Sequence, residues 1–199
     1  MSTFKREWYD EICRVVAALG GLQAATEEFF FLRHGQTDHN LRRVVQPPVG
    51  VSLDDTGRQQ AEAAALKLVG KKVRKIIASD SERAWETAQT VSRVCGWPVH
   101  EAPALRERHW GILIGGSNVG LDWGASPADG ETLAQFTTRT LQGLKEALHS
   151  DEILITAHGG TYFVLLAALG IPHLPELPMN ATPMRLVRDA SHCWQLHQL

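Results

Sequence analysis

Residues Phe29–Asn40 read FFFLRHGQTDHN. The apolar run from Phe29 to Leu32 stops at Arg33-His34-Gly35, and polar residues follow as far as Asn40. An unbroken apolar run ending in a charged residue and a glycine reads as a buried strand reaching its C-terminal end and turning. Open α/β sheets place their ligands at such ends. Arg33 and His34, delivered there side by side, offer a fixed cation and a ring nitrogen.

Two later segments repeat this pattern. Lys75–Ser79 (KIIAS) reads as a strand, with Ser79-Asp80-Ser81 as N-cap chemistry for a helix over 82–94, so Arg83 falls in that helix's first turn. Glu152–Thr156 (EILIT) reads as a third strand, ending in Ala157-His158-Gly159-Gly160 with a helix over 161–169 at once behind it. Other helices are expected after Thr56-Gly57 and over 131–149, a short edge strand after Trp97-Pro98, and two closing strands over 181–188 and 193–198. Residues 41–53, with Pro47-Pro48 and Gly50, read as loop. This alternation predicts an α/β fold, a three-layer α/β/α sandwich with a mostly parallel central sheet.

Ahead of the first strand, Trp8, Ile12, Val15, Val16 and Leu19 share one helical face, and Gly20-Gly21 ends that helix. Residues 1–28 therefore form an N-terminal helical extension to a single domain over 29–199. Three readings of the extension stay open at this level: packing on the domain edge, a homodimer contact, or a mobile arm.

Composition narrows the function class. A net charge of −2 over 199 residues gives no field for nucleic acid or an anionic membrane, so anion binding must come from a local cluster. Three scattered cysteines without a CxxC point away from disulfide frameworks and zinc sites and toward a reducing, cytoplasmic setting. The apolar stretch near the N-terminus follows Glu7, Asp10 and Glu11, the wrong flank for a signal peptide.

In a parallel sheet the three strand ends share one edge, so Arg33, His34, Arg83 and His158 converge there. Two guanidinium groups and two imidazoles suit a compact dianion such as phosphate, which arginine forks match well. Backbone N–H groups at the helix start after Gly159 add donors. An unprotonated imidazole is a competent nucleophile near neutral pH, and neighbouring arginines oppose its protonation. A leaving alkoxide needs a proton donor. Glu107, in the irregular segment Leu105–Gly111 (LRERHWG), is the best placed, with Glu82, Glu101 and Glu131 as competitors.

Taken in order, LRHGQTDHN (32–40), the S-D-S-E-R-A run (79–84), LRERHWG (105–111), GET (130–132) and ITAHGG (155–160) resemble the signature of the histidine phosphatase superfamily, the phosphoglycerate mutase-like family. The resemblance runs from about residue 28 to about 190 and implies that family's fold. It implies His34 as the phosphorylated nucleophile, and Arg33, Arg83 and His158 as the phosphate clamp. Glu107 would be the proton donor and later the base that activates water. Asn40 would contact phosphate or order the loop. Gln46 stands where the family often has Gln-Gly, but Pro47 follows it here. The resemblance implies no metal and no cofactor, and a small phosphorylated substrate as partner.

The family holds both phosphatases and mutases, and its mutases carry a long insertion between the acid and the second histidine. Here 51 positions separate 107 from 158, and they include a helix. What remains is a short Gly-rich lid, roughly 112–127, which favours a phosphatase. A mutase-type phosphotransferase and a non-catalytic phosphate-binding module are the alternatives.

Overall fold

Phe29 and Phe31 pack on one side of the first strand and Phe30 and Leu32 on the other, into two separate apolar cores. A strand alternates its side chains between faces, so four apolar residues in a row require a layer on each side of the sheet. In the computed structural model, which describes residues 7–172 and 177–199, both layers are present. The first six residues of the N-terminal extension, and His173, lie outside the described residues.

Six strands appear among the described residues: Glu28–Arg33 (β1), Lys75–Ala78 (β2), Val99–Glu101 (β3), Ile153–Ala157 (β4), Pro183–Arg188 (β5) and Trp194–Gln198 (β6). Their order is β3-β2-β4-β1-β5-β6. The first four run parallel, while β5 and β6 close the sheet antiparallel. The helices are Glu7–Ala18 (α1), Asp38–Leu41 (α2), Asp55–Leu68 (α3), Glu82–Cys95 (α4), Leu133–Ala147 (α5) and Gly159–Ala168 (α6). Helices α3 and α4 cover one face with Ala64, Leu68, Ala88 and Val91. Helices α1, α5 and α6 cover the other with Ile12, Phe136, Leu144 and Val164. No helix among the described residues is long and apolar enough to cross a membrane.

Register fixes the working edge. Arg33 pairs with Ala157, and Ala78 with Thr156, so β1, β4 and β2 end almost level. Beyond β1 the chain passes tightly under α3. A Cβ on Gly35 would lie 2.4 Å from the Gly57 carbonyl oxygen, and one on Gly57 would lie 2.0 Å from that of Gln36. Only glycines let these backbones approach so closely. Asp54 caps α3 by accepting the Gly57 N–H at 2.7 Å, which locks the same junction.

Several local details differ from the sequence expectation. Just ahead of the segment read as loop, and taking its first residue, Asp38–Leu41 forms α2, because Thr37 and Asn40 make a reciprocal capping box. Helix α5 starts two residues late, since Thr132 and Gln135 cap it in the same way. In α1 the buried residues are Tyr9, Ile12 and Val16, while Leu19 lies past the helix end and is exposed. Ser81 occupies the N-cap position of α4 but makes no cap bond, its hydroxyl being donated to the Pro48 carbonyl instead.

Candidate active site

The level strand ends deliver the four expected groups to one buried place. His34 follows β1, and its backbone N–H continues the ladder to the Ala157 carbonyl at 3.0 Å. Its ring Nδ1 lies 2.7 Å from the Gly35 carbonyl oxygen. A carbonyl only accepts, so Nδ1 carries the hydrogen and Nε2 keeps its lone pair. Burial, then Arg83 and Arg33, pushes the His34 pKa well below the ordinary histidine value. The ring is therefore neutral, with a free nitrogen.

His158 occupies the N-cap position of α6 in an extended conformation, without a side-chain cap bond, and its ring centroid is 5.3 Å from that of His34. Its Nε2 is 2.9 Å from Ser79 Oγ, which lies 3.1 Å from Ser81 Oγ. Because Ser81 donates to a carbonyl, the chain has one consistent direction. Ser79 donates to Ser81, and His158 donates its Nε2–H to Ser79. The remaining nitrogen, Nδ1, is buried with no partner. Burial, then Arg83, His34 and Arg33, also holds this imidazole well below its usual pKa.

Arg83 is 1% exposed and Arg33 is largely buried, yet neither has a carboxylate at ion-pair distance among the described residues. Each spends one Nη on a carbonyl at 3.0 Å, Arg33 on Pro178 and Arg83 on Pro47. Each leaves its Nε buried and unpaired. Burial draws Arg83 down to about 10, which still leaves it charged at neutral pH. A buried polar atom without a partner costs roughly 1–3 kcal/mol, more for charged groups. Among the described residues five buried side-chain atoms are so orphaned, and three of them are Arg33 Nε, Arg83 Nε and His158 Nδ1. Such a cluster can serve as an oxyanion cradle, with the two guanidinium groups as donors and His158 joining them once its Nδ1 gains a proton.

Glu107 reaches the same region from the irregular segment. Its Oε2 accepts the Gly160 N–H at 2.9 Å, in the first turn of α6, and its Oε1 accepts the Arg108 N–H at 2.9 Å. A Cβ on Gly160 would lie 2.2 Å from Oε1, so only glycine leaves room for this carboxylate. The three competitors have other partners or positions. Glu82 holds the Gly50 N–H, and Glu101 lies exposed at the sheet edge. Glu131 is bound by Arg139 and the His109 N–H. Burial opposes its ionisation, but those bonds outweigh it and hold Glu131 below the usual carboxylate range.

Asn40 braces the loop: its Oδ1 takes the Thr37 N–H at 3.2 Å and the Asn180 amide at 3.3 Å. The Gln46 Oε1 lies 3.0 Å from the Thr37 hydroxyl. Gly159 is the first residue of α6, directly after His158.

Sequence reasoning missed the groups that brace these residues. Thr87, one turn along α4 from Arg83, accepts the Gly35 N–H at 3.0 Å. Asn180 donates to the His34 carbonyl at 3.0 Å. Arg108 is fully buried and donates to the carbonyls of Trp123, Ala125 and Glu131, while lying 4.3 Å from the Trp110 ring centroid. Arg139 binds Glu131 and the carbonyls of Ala104 and Arg106. The available signal was the density of charge in 105–111, too much for a segment flanked by apolar residues unless the charges have partners. A cavity of about 480 Å³ opens beside Glu107, walled by Pro48, Pro103, Ala104, Arg106, His109, Arg139 and also Glu131, whose carboxylate is taken up by Arg139 and the His109 N–H.

An α/β sandwich that gathers unpaired buried arginines and imidazoles at the carboxyl edge of its parallel strands is, by class, an oxyanion-handling protein. Comparison with known proteins gives the family. Residues 29–199 match the model of the histidine phosphatase superfamily, branch 1. Over 165 residues the chain is 33% identical to the glucosyl-3-phosphoglycerate phosphatase of Mycolicibacterium vanbaalenii, covering 71% of this chain and 73% of that protein. It is 31% identical over 156 residues to phosphoglycerate mutase-like protein 4 of Arabidopsis thaliana, covering 67% of this chain and 66% of that one. A solved mycobacterial glucosyl-3-phosphoglycerate phosphatase in complex with VO3 superposes with a TM-score of 0.72 at 27% identity, covering 85% of this chain and 97% of that chain. The chain belongs to the histidine phosphatase superfamily.

Proposed function

We propose that the protein hydrolyses phosphomonoesters of small metabolites through a phosphohistidine on His34, without a metal ion. The observation that carries this reading is the orphaned trio of Arg33 Nε, Arg83 Nε and His158 Nδ1 beside a ring whose Nε2 lone pair is free. A phosphoryl group in that cradle takes up all three. Its charge raises the proton affinity of the His158 ring, and the proton gained at Nδ1 is donated to a phosphate oxygen. That the mycobacterial neighbour was solved in complex with VO3 supports oxyanion binding by a protein of this fold.

His34 Nε2 attacks phosphorus, the P–O bond to the alcohol breaks, and the oxygen leaves with a proton from Glu107. Positive charge grows on the His34 ring as the new P–N bond forms. The Nδ1–H bond to Gly35 strengthens with it, while the arginines stabilise the equatorial oxygens. Glu107, now a carboxylate, takes a proton from water as that water attacks phosphorus. The P–N bond breaks, and inorganic phosphate leaves.

The names of the relatives fall on both sides of the phosphatase–mutase divide. The short lid after Glu107 supports hydrolysis, since a mutase must keep water from its phosphohistidine. The cavity beside Glu107 has room for a small alcohol. Its arginines are already engaged, Arg106 with Asp80 and Arg139 with Glu131. That favours a leaving group without a negative charge of its own, and neutral sugar phosphates should outrun 3-phosphoglycerate.

The test is hydrolysis of p-nitrophenyl phosphate in EDTA, with His34→Ala abolishing turnover and rapid quench trapping an acid-labile, base-stable phosphoenzyme. Activity that needs added metal, or that survives His34→Ala, overturns the mechanism. Net conversion of 3- to 2-phosphoglycerate without phosphate release would make it a mutase.

A further inference from the structure

The match to the family begins at residue 29, so α1 lies outside it. This helix is nevertheless built into the molecule. Ile12 and Val16 are buried with α5 and α6 residues in one core, and the Tyr9 hydroxyl donates to the Ile171 carbonyl at 3.2 Å. At its N-terminal end, Trp8 joins an aromatic cluster. Its ring centroid lies 5.0 Å from Phe163 and 5.5 Å from Trp123, and those two are 5.5 Å apart. Edge-to-face and tilted contacts at such spacing fix ring orientation as well as burying area.

Phe163 and Trp123 both lead to Glu107. Phe163 belongs to α6, the helix whose Gly160 N–H holds Glu107 Oε2. Trp123 closes the triangle from the lid. The point where a Gly160 Cβ would sit is 3.0 Å from Trp123 Cη2 and 2.2 Å from Glu107 Oε1, so the indole edge and the carboxylate crowd one spot. The backbone repeats the link, since Arg108 holds the Trp123 carbonyl through its guanidinium and Glu107 Oε1 through its N–H. Trp110 packs against Trp123 on a further side at 5.1 Å.

We propose that Trp8 is a positioning residue for the reaction: through Trp123 it holds Glu107 at the leaving-group oxygen, which makes α1 a working part of the active site. This rests on the reading of Glu107 as proton donor. Phe163 and Trp110 of the family domain pack edge-on against Trp123, and Trp8 adds a third, tilted ring contact from the helix ahead of that domain. Without Trp8 one of the three rings that set the tilt of the Trp123 indole is gone, and the indole edge beside Gly160 and the Glu107 carboxylate is held less firmly. A misdirected acid matters for an alkoxide that must be protonated and hardly at all for p-nitrophenolate.

The experiment compares kcat and KM of the full chain on p-nitrophenyl phosphate and on β-glycerophosphate. Trp8→Ala is expected to lower kcat on β-glycerophosphate about tenfold, with p-nitrophenyl phosphate within about twofold and KM little changed. Trp8→Leu, which keeps apolar bulk, should show the same selective loss, and Trp8→Phe should restore most of it. Ile12→Ala loosens the same helix without touching Trp123. It should lower Tm while leaving the ratio of the two substrates unchanged. An equal loss on both substrates, or the same selectivity from Ile12→Ala, overturns the proposal. Glu107→Gln separates it from the reading beneath. If Glu107→Gln is not selective for β-glycerophosphate, the proton-donor assignment fails. If it is selective, Trp8→Ala added to it should cost nothing further, and an additive loss overturns the positioning role alone.

Discussion

The two sides of the cradle are built by different means. On the phosphate side, Arg33, His34, Arg83 and His158 stand at the ends of hydrogen-bonded strands or in the first turns of the helices that follow. Their positions are set by backbone ladders, and few side chains are needed to aim them. On the leaving-group side, Glu107 sits in a segment with no strand at all. Arg108 and Arg139 tie that segment down through backbone carbonyls, and Trp8 and Trp123 wedge it with aromatic rings. The first construction is stiff and the same for any phosphomonoester. The second can change shape by substitution of single side chains without disturbing the sheet, which is where a change of substrate has to be made.

Arg83→Met is the strongest way to test that division. It removes a buried cation and an orphaned donor from the stiff side, and kcat/KM should fall about 10³-fold for good and poor leaving groups alike. A loss that depends on the leaving group would mean that the two sides are not separable. Acid comes next. His34 and His158 bind protons less readily folded than unfolded, so the stability this contributes is complete above the unfolded histidine pKa of about 6.5 and is lost as pH falls below it. The loss should approach about 1.4 kcal/mol per pH unit for each ring, seen as a falling Tm from pH 6.5 to 5. His34→Asn should flatten that slope. The Glu131 carboxyl of the other side is lowered as well, so its tie to Arg139 also fails on acidification, but only in a lower range, below the usual glutamate pKa, as that carboxylate protonates. One slope continuing unchanged through both ranges would contradict the assignment.

Gly160→Ala attacks the contact where the two sides meet. Its Cβ must displace the Glu107 carboxylate, and turnover of β-glycerophosphate should fall roughly 10–100-fold while inorganic phosphate still binds. A matching loss of phosphate affinity would show that Glu107 belongs to the clamp. Smallest is Asn40→Ala, which removes one half of a capping box and should cost about 1 kcal/mol of stability with turnover nearly unchanged. A large catalytic defect would place Asn40 in the cradle itself.

These contrasts also explain what could be read in advance. The strands of the stiff side were legible because FFFL, KIIA and ILIT are short apolar runs whose ends carry the reactive groups within one to five residues. Thr87 and Asn180 were not legible: they touch Gly35 and His34 from 52 and 146 positions away. Ser81 was legible as a helix cap and became something else, because the Pro48 carbonyl was brought within its reach by a loop with no periodicity to read. The two-residue delay of α5 was available in the T-x-x-Q spelling of its cap, but the hydrophobic pattern alone does not mark it.

By itself the sequence determined the alternating α/β order, the three strand ends, and hence which cations and imidazoles share an edge. Hydrophobic periodicity is a local property, and a parallel sheet converts it into a common edge with little further information. Only the tertiary structure decided that Glu107 rather than Glu82, Glu101 or Glu131 faces Gly160, that His34 presents Nε2, and that a helix ahead of the family domain reaches the lid. Each of those depends on a single contact between residues far apart in the chain. Such a contact is fixed by packing and by the need to pair buried polar groups, and no repeat or spacing in the sequence encodes it.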